Sequence, residues 1–378
     1  MNTSSETGPD LASPPADPPR APLFGLTAWS VIAPVVALAA VMLGKPEGLA
    51  TSLVIGLLLG GAIVAAVYHA EVLAHFLGEP FGTLVLALAV TIIECSLIVS
   101  IMLGEGAQAQ ALARDTLIAA IMITINGIVG ICLLTGGQRH HEQHYTQSGV
   151  SAGLAMLATL SVLTLVLPNY TTSASGAFYN SQQLVFVAII SLLIYATFVV
   201  AQTIRHRDHF LHHIPEADDH AHEAPVPRTK ALASAAVLVI ALIAVVLLAK
   251  NLSPTIEAGV AAIGAPRALV GIIIAALVLA PEGFAALRAA RANRVQTSLN
   301  LAIGSALATI GLTIPAVAIV ALVLGLELEL GLSMRTTVLL ALTLLVATLT
   351  LGRGRTTMVQ GVIHLTIFAT YLFTTIVP

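Results

Sequence analysis

Charged side chains are scarce in this sequence. Asp, Glu, Lys and Arg make up 9% of its 378 residues, against about a quarter in soluble domains, and that excludes an ordinary water-soluble globule. Cysteine is nearly absent. The two that occur, Cys95 and Cys132, fall inside apolar runs and read as small buried hydrophobes, with no disulfide framework or metal motif. There is no Gly-Lys-Ser/Thr phosphate cradle, no Gly-x-Ser-x-Gly elbow and no His-Glu-x-x-His helix. Those absences remove the usual signatures of nucleotide hydrolysis, serine hydrolysis and zinc proteolysis. No resident cofactor, no ATP and no nucleic-acid partner is expected.

What the chain has instead is 57% apolar residues, in runs of about 17–25 residues, the length that crosses hydrocarbon as a helix. The pattern predicts an all-α polytopic membrane protein surrounded by lipid. Its eleven spans lie near residues 26–44, 50–68, 80–103, 115–135, 150–167, 183–204, 231–249, 267–287, 299–325, 334–351 and 357–377. The ninth contains Pro315 and is expected to kink there. Residues 1–21 are acidic and proline-rich and lack an apolar core; they read as a disordered tail, not a secretory signal.

Lys and Arg set the expected orientation. With the N-terminus in the cytoplasm, eleven of them (Arg20, Arg139, Arg205, Arg207, Arg228, Lys230, Arg288, Arg291, Arg294, Arg353 and Arg355) lie inside. Five (Lys45, Arg114, Lys250, Arg267 and Arg335) lie outside. The C-terminus is then external, in a cell inner (cytoplasmic) membrane. Set aside the first helix, residues 22–46, and the other ten divide into 47–204 and 231–378. An odd number of spans per half turns the second half over relative to the first, the inverted-repeat plan of many secondary transporters.

The linker between the halves, 205–230, carries His206, His209, His212, His213, His220 and His222 among several acids. A second cluster is His140, His141, Glu142 and His144. Imidazole titrates near neutrality and binds metals, so a cytoplasmic pH or divalent-cation sensor stands beside the plainer reading of a solvated linker.

Two carboxylates interrupt the apolar runs. Glu94 follows Thr91-Ile92-Ile93 in the third span, and Glu282 follows Leu279-Ala280-Pro281 in the eighth. A charged residue at the bilayer centre costs roughly 3 kcal/mol on insertion scales and ordinarily faces a cavity or the bundle interior. In the expected topology the two helices run antiparallel, which points to a duplicated cation site near the midplane. Thr124 and Asn126 on the fourth span, and Asn300, Ser305 and Thr309 on the ninth, offer further oxygens of the kind hard cations take; helix–helix hydrogen bonding is the alternative for each. Glu79, at the mouth of the third span, is a surface charge or an entry ligand. His364, in the last span, is a packed neutral histidine or a proton relay.

Gly82-Thr83-Leu84 through Thr91-Ile92-Ile93-Glu94 resembles the first α-repeat of the cation/Ca²⁺ exchanger superfamily. Pro281-Glu282-Gly283, with Asn300 through Ser305 and Thr313-Ile314-Pro315, resembles the second. The likeness is to the bacterial Ca²⁺(Na⁺)/H⁺ antiporters and spans about 50–378. It implies that Glu94 and Glu282 bind the transported cation, with Thr91 and Ser305 beside them. Leu279 stands where relatives carry a polar residue before the second glutamate, which leaves room for Na⁺ or K⁺ as well as Ca²⁺. The expectation is a proton-coupled antiporter exporting Ca²⁺, alternatively a monovalent Na⁺(K⁺)/H⁺ antiporter; a cation channel and a polytopic membrane enzyme are the rivals. Burial and a like-charged neighbour both disfavour an ionised carboxyl group, so such a pair can hold either protons or a cation. The sequence leaves the oligomeric state open.

Overall fold

The structure, a computed structural model, describes residues 26–44, 48–78, 81–105, 110–210, 226–266 and 268–377. Among these, eleven helices fall one to one on the eleven apolar runs. They are α1 (Ala28–Ala40), α2 (Leu49–Leu77), α3 (Phe81–Glu105), α4 (Leu112–His140), α5 (Gln147–Tyr170), α6 (Ser181–Arg205), α7 (Arg228–Ala262), α8 (Ala268–Arg291), α9 (Val295–Leu324), α10 (Met334–Leu351) and α11 (Met358–Ile376). Eight are long and apolar enough to cross a membrane, nine if the bent α8 counts as one span; α1 and the Leu88–Ser100 part of α3 are shorter apolar helices.

Local sequence explains several ends. Asn180 and Gln183 form a reciprocal capping box at the start of α6, and Thr357 and Gln360 do the same for α11. Each satisfies two otherwise orphaned N–H groups. Gly325, with φ 65°, takes the left-handed turn that closes α9. The expected bounds were too tight for α2 and α7. At 35 residues, α7 extends about 50 Å and carries Glu257 beyond the expected 231–249 span, just as α2 carries Glu71. Polar residues at the ends of long helices hid these extensions. Pro315 sits inside an unbroken α9. The sharp bend is in α8 instead, 53° between Ala268–Ala280 and Glu282–Arg291.

The helices are apolar on every side, as membrane-embedded helices are. On α6, Leu184, Val187 and Ser191 are buried while Phe186, Ile189 and Leu193 face outward. By contrast α4 is buried without a break from Thr116 through Asn126, and α9 from Ser305 through Gly311. These two form the axis of the bundle.

The loop contacts sort into two faces. On the first face a two-stranded antiparallel sheet pairs β1 (Glu142–His144) with β2 (Arg355–Thr357), tying the α4–α5 loop to the α10–α11 loop. The Gln143 amide donates to Ala290 O at 3.1 Å and to Asn293 Oδ1 at 3.0 Å, adding the α8–α9 turn. On the second face the α9–α10 loop meets the α5–α6 loop, with Leu330 N and Gly331 N donating to Ala177 O and Asn169 Nδ2 to Leu332 O.

An ion cluster stitches that second face together. Arg114, at the start of α4, pairs with Asp115 at 2.8 Å and with Glu329, and donates to Gly331 O at 3.3 Å. The arginine side chain is 17% exposed and its partners 25% and 31%, so solvent screens the cluster only in part. Replacing Arg114 with Gln leaves two carboxylates facing each other. We expect about 1–2 kcal/mol of lost stability, read as a lower thermal unfolding midpoint in detergent, with part recovered in the Arg114→Gln/Glu329→Gln double variant.

Candidate functional site

Glu94 of α3 and Glu282 of α8 both meet α9. Both are nearly inaccessible, at 2% exposure each. The Thr309 hydroxyl donates to Glu94 Oε2 at 2.7 Å, and the Ser305 hydroxyl donates to Glu282 Oε2. Ser305 and Thr309 are four residues apart, so they stack on one face of α9 about 6 Å apart along its axis. One turn further on, Thr313 Oγ1 meets Cys95 Sγ at 3.1 Å. α9 thus presents a ladder of hydroxyls to α3 and α8.

Each carboxylate keeps one oxygen in reserve. Glu94 Oε1 and Glu282 Oε1 are buried with no hydrogen-bond partner among the described residues. Unsatisfied buried polar atoms forfeit hydration without compensation, and these two are the carboxylate oxygens among the nine such side-chain atoms of the described residues. Around Glu282 the backbone contributes too. Pro281 has no N–H, so the Leu277 carbonyl lacks its usual i+4 donor, and Glu282 begins the second limb of the bent α8.

Not all the expected ligands join this pair. Thr91 is buried one turn before Glu94. Thr124 donates to Ala120 O and Ile121 O of its own helix. Asn126 turns to α10 and α11, donating to Thr343 Oγ1 at 2.8 Å and facing His364 Nδ1 at 3.1 Å. Asn300 belongs to a clasp on the first face: Thr146 N donates to Gln296, Gln296 to Asn300, and Asn300 Nδ2 to Phe210 O. The reason is that α9 begins at Val295, not 299, so Asn300 lies near the end of the bundle. His364 is fully buried. His206 and His209 are exposed, with rings stacked at 5.2 Å. Glu79, His212, His213, His220 and His222 lie outside the described residues. Thr313 and Cys95 are the neighbours the sequence reading missed; the four-residue spacing of Ser305, Thr309 and Thr313 was the available signal.

Comparison with known proteins places the chain in a family. A family model described as "Sodium/calcium exchanger protein" matches residues 26–204 and 233–377, one segment for each set of helices flanking the His-rich linker. The chain is 46% identical over 322 residues to the "Putative ionic transporter y4hA" of Sinorhizobium fredii, covering 85% of this chain and 87% of the relative. It is 37% identical over 352 residues to the "Sodium-potassium/proton antiporter ChaA" of Escherichia coli K12, covering 91% and 95%. Among solved structures, the H⁺/Ca²⁺ exchanger CAX superposes with TM-score 0.70 at 16% identity over 91% of this chain and 86% of that one. Native YfkE superposes with TM-score 0.66 at 16% identity over 94% and 100%. At that identity the structures speak for the fold, and the sequence matches speak for descent: the chain is a member of the sodium/calcium exchanger protein family.

Proposed function

We propose that this protein is a proton-coupled cation antiporter in which Glu94 and Glu282 hold either protons or the transported cation. The observation that carries the reading is the pair of buried, unpartnered carboxylate oxygens, each on a side chain whose other oxygen is fixed by a hydroxyl of α9. Ser305 and Thr309 orient the carboxylates; Glu94 Oε1 and Glu282 Oε1 receive the ion. When a cation is bound its charge neutralises both groups. When it leaves, protons must replace it, because two uncompensated charges at this depth are costly. That obligatory replacement is exchange. Two carboxylates balance one Ca²⁺ or two monovalent ions against two H⁺.

The helix order supports two five-helix halves, α2–α6 and α7–α11, related by inversion and each supplying one glutamate, with α1 as an addition. The Lys and Arg distribution supports an N-terminus in the cytoplasm of a cell inner membrane, and an inward proton gradient then drives cation export. A second reading, with Na⁺ or K⁺ in place of Ca²⁺ as the principal substrate, is favoured by the relative named as a sodium-potassium/proton antiporter and by the small set of side-chain oxygens at the carboxylates.

The test uses purified protein in liposomes with an imposed pH gradient and a pH-sensitive dye. Ca²⁺, Na⁺ and K⁺ are added in turn. We expect saturable proton release with at least one of them, and the half-saturating concentrations rank the substrates. Absence of release with all three, or cation flux that neither saturates nor moves protons, would overturn the proposal.

A further inference from the structure

The fourth helix contains a wide π turn, Met122–Ile128, in its buried middle. Such a turn carries an extra residue, costs helix regularity and tends to occur where function needs it. Two different things press on this one. On its one side Ile128 Cδ1 lies 3.3 Å from where a Cβ on Gly283 would stand, so the turn packs directly against the residue after Glu282. On its other side Asn126 is gripped by a chain of buried polar groups reaching α10 and α11. Gly127, the next residue, lies against the Phe368 ring of α11, with 3.5 Å to a Cβ position.

The polar chain can be read proton by proton. Thr343 Oγ1 donates to Leu339 O at 2.7 Å, leaving its lone pair for Asn126 Nδ2. The Asn126 carbonyl oxygen then faces the imidazole at 3.1 Å, so His364 Nδ1 carries the proton it accepts. Thr350 Oγ1 closes the chain at 2.8 Å from Nε2, and its one hydroxyl proton has Val346 O at 2.7 Å as a second acceptor. His364 thus has a polar neighbour at each ring nitrogen, and with Nδ1 protonated that edge points at Asn126.

From this we infer that His364 is a positioning residue for exchange. By holding Asn126 it sets the π turn of α4, and through Ile128 it sets the packing against the bend that carries Glu282. The inference rests on the reading of Glu282 as a cation ligand. It assigns His364 no proton of the transport cycle.

Amide substitutions separate the two bonds of the ring. In His364→Asn the amide nitrogen stands near the former Nδ1 and keeps the bond to Asn126. In His364→Gln it reaches toward Thr350 and loses Asn126; His364→Leu loses both. Cation-driven proton release is titrated with Ca²⁺, Na⁺ and K⁺ in liposomes. We expect His364→Asn to match wild type across pH. His364→Gln, His364→Leu and Asn126→Leu should each raise the half-saturating concentration about fivefold to tenfold, the worth of one buried hydrogen bond, with the maximal rate little changed. The Asn126→Leu/His364→Leu double variant should be no worse than either single. The inference is overturned if His364→Asn is as impaired as His364→Leu, if its pH profile shifts, or if all the variants match wild type. Glu282→Gln in parallel tells the two readings apart. Exchange surviving that change sinks the carboxylate site itself, whereas its loss alongside unaffected His364 variants sinks only the positioning role.

Discussion

Glu282→Gln and Glu94→Gln should each reduce cation-driven proton release to the level of protein-free liposomes while leaving the protein folded. Glutamine matches glutamate in size but has no charge and no proton to exchange. Its amide can give the carbonyl oxygen to the α9 hydroxyl, Ser305 or Thr309, and then the NH₂ group occupies the place of the free Oε1. A donor stands where the cation needs an acceptor. Folding is another matter. In the cation-free protein the carboxylates carry protons, so glutamine exchanges one neutral hydrogen-bonding group for another of equal volume, and any cost of ionising a carboxyl group at this depth disappears. The thermal unfolding midpoint of either variant in detergent should therefore equal or exceed that of wild type. Added substrate cation separates them further. A ligand that binds only the folded state stabilises by about 2.7 kcal/mol at a hundred times its Kd, so wild type should gain and both variants should not. Loss of exchange together with loss of folded protein would turn the glutamates into packing residues. Retained exchange in either variant would remove that glutamate from the site.

The two glutamates were legible in the sequence because an acid in a long apolar run is anomalous whatever surrounds it. The helices were legible for the same reason, each run being its own signal. Which polar side chains would meet was much less so. Thr124 and Asn126 looked equivalent to Ser305 and Thr309, yet only the α9 pair reaches the carboxylates. A helix that is apolar on all faces has no polar stripe to announce its orientation. The π turn at Met122–Ile128 adds a residue to the turn, so counting by fours from Thr124 fails just where it was needed. Asn300 was misplaced by a few residues of helix, enough to move it from the bundle's interior to its end. The pairing of β1 with β2 joins loops more than 200 residues apart (142 to 357), and nothing local encodes it. The same limit holds for the long reach of α2 and α7, whose polar ends resemble loop.

Gly361→Ala should be among the most damaging small substitutions in the bundle. A Cβ at Gly361 would stand 2.8 Å from Gly130 O and 2.8 Å from Leu134 Cα, with Leu134 N closer still. All three are backbone atoms of α4, so no side chain can swing aside. The contact is reciprocal, since a Cβ at Gly130 would lie 3.0 Å from Leu365 Cγ and 3.1 Å from Leu365 N. α4 and α11 therefore touch backbone to backbone, the close approach that small residues allow in membrane bundles. Forcing them apart opens the seam that holds Asn126 and His364 together. Overpacking of this kind costs about 3 kcal/mol, and here it falls on an element with few ways to relax. The expected result is a sharp fall in the thermal midpoint, or loss of the monodisperse peak in size exclusion. Gly60→Ala is the matched control. Nothing lies within 4 Å of a Cβ there, and alanine is the better helix former by roughly 0.5–1 kcal/mol. The same added methyl group should stabilise α2 and break the α4–α11 seam. If Gly361→Ala unfolds no more easily than Gly60→Ala, the two helices are not in contact along this line.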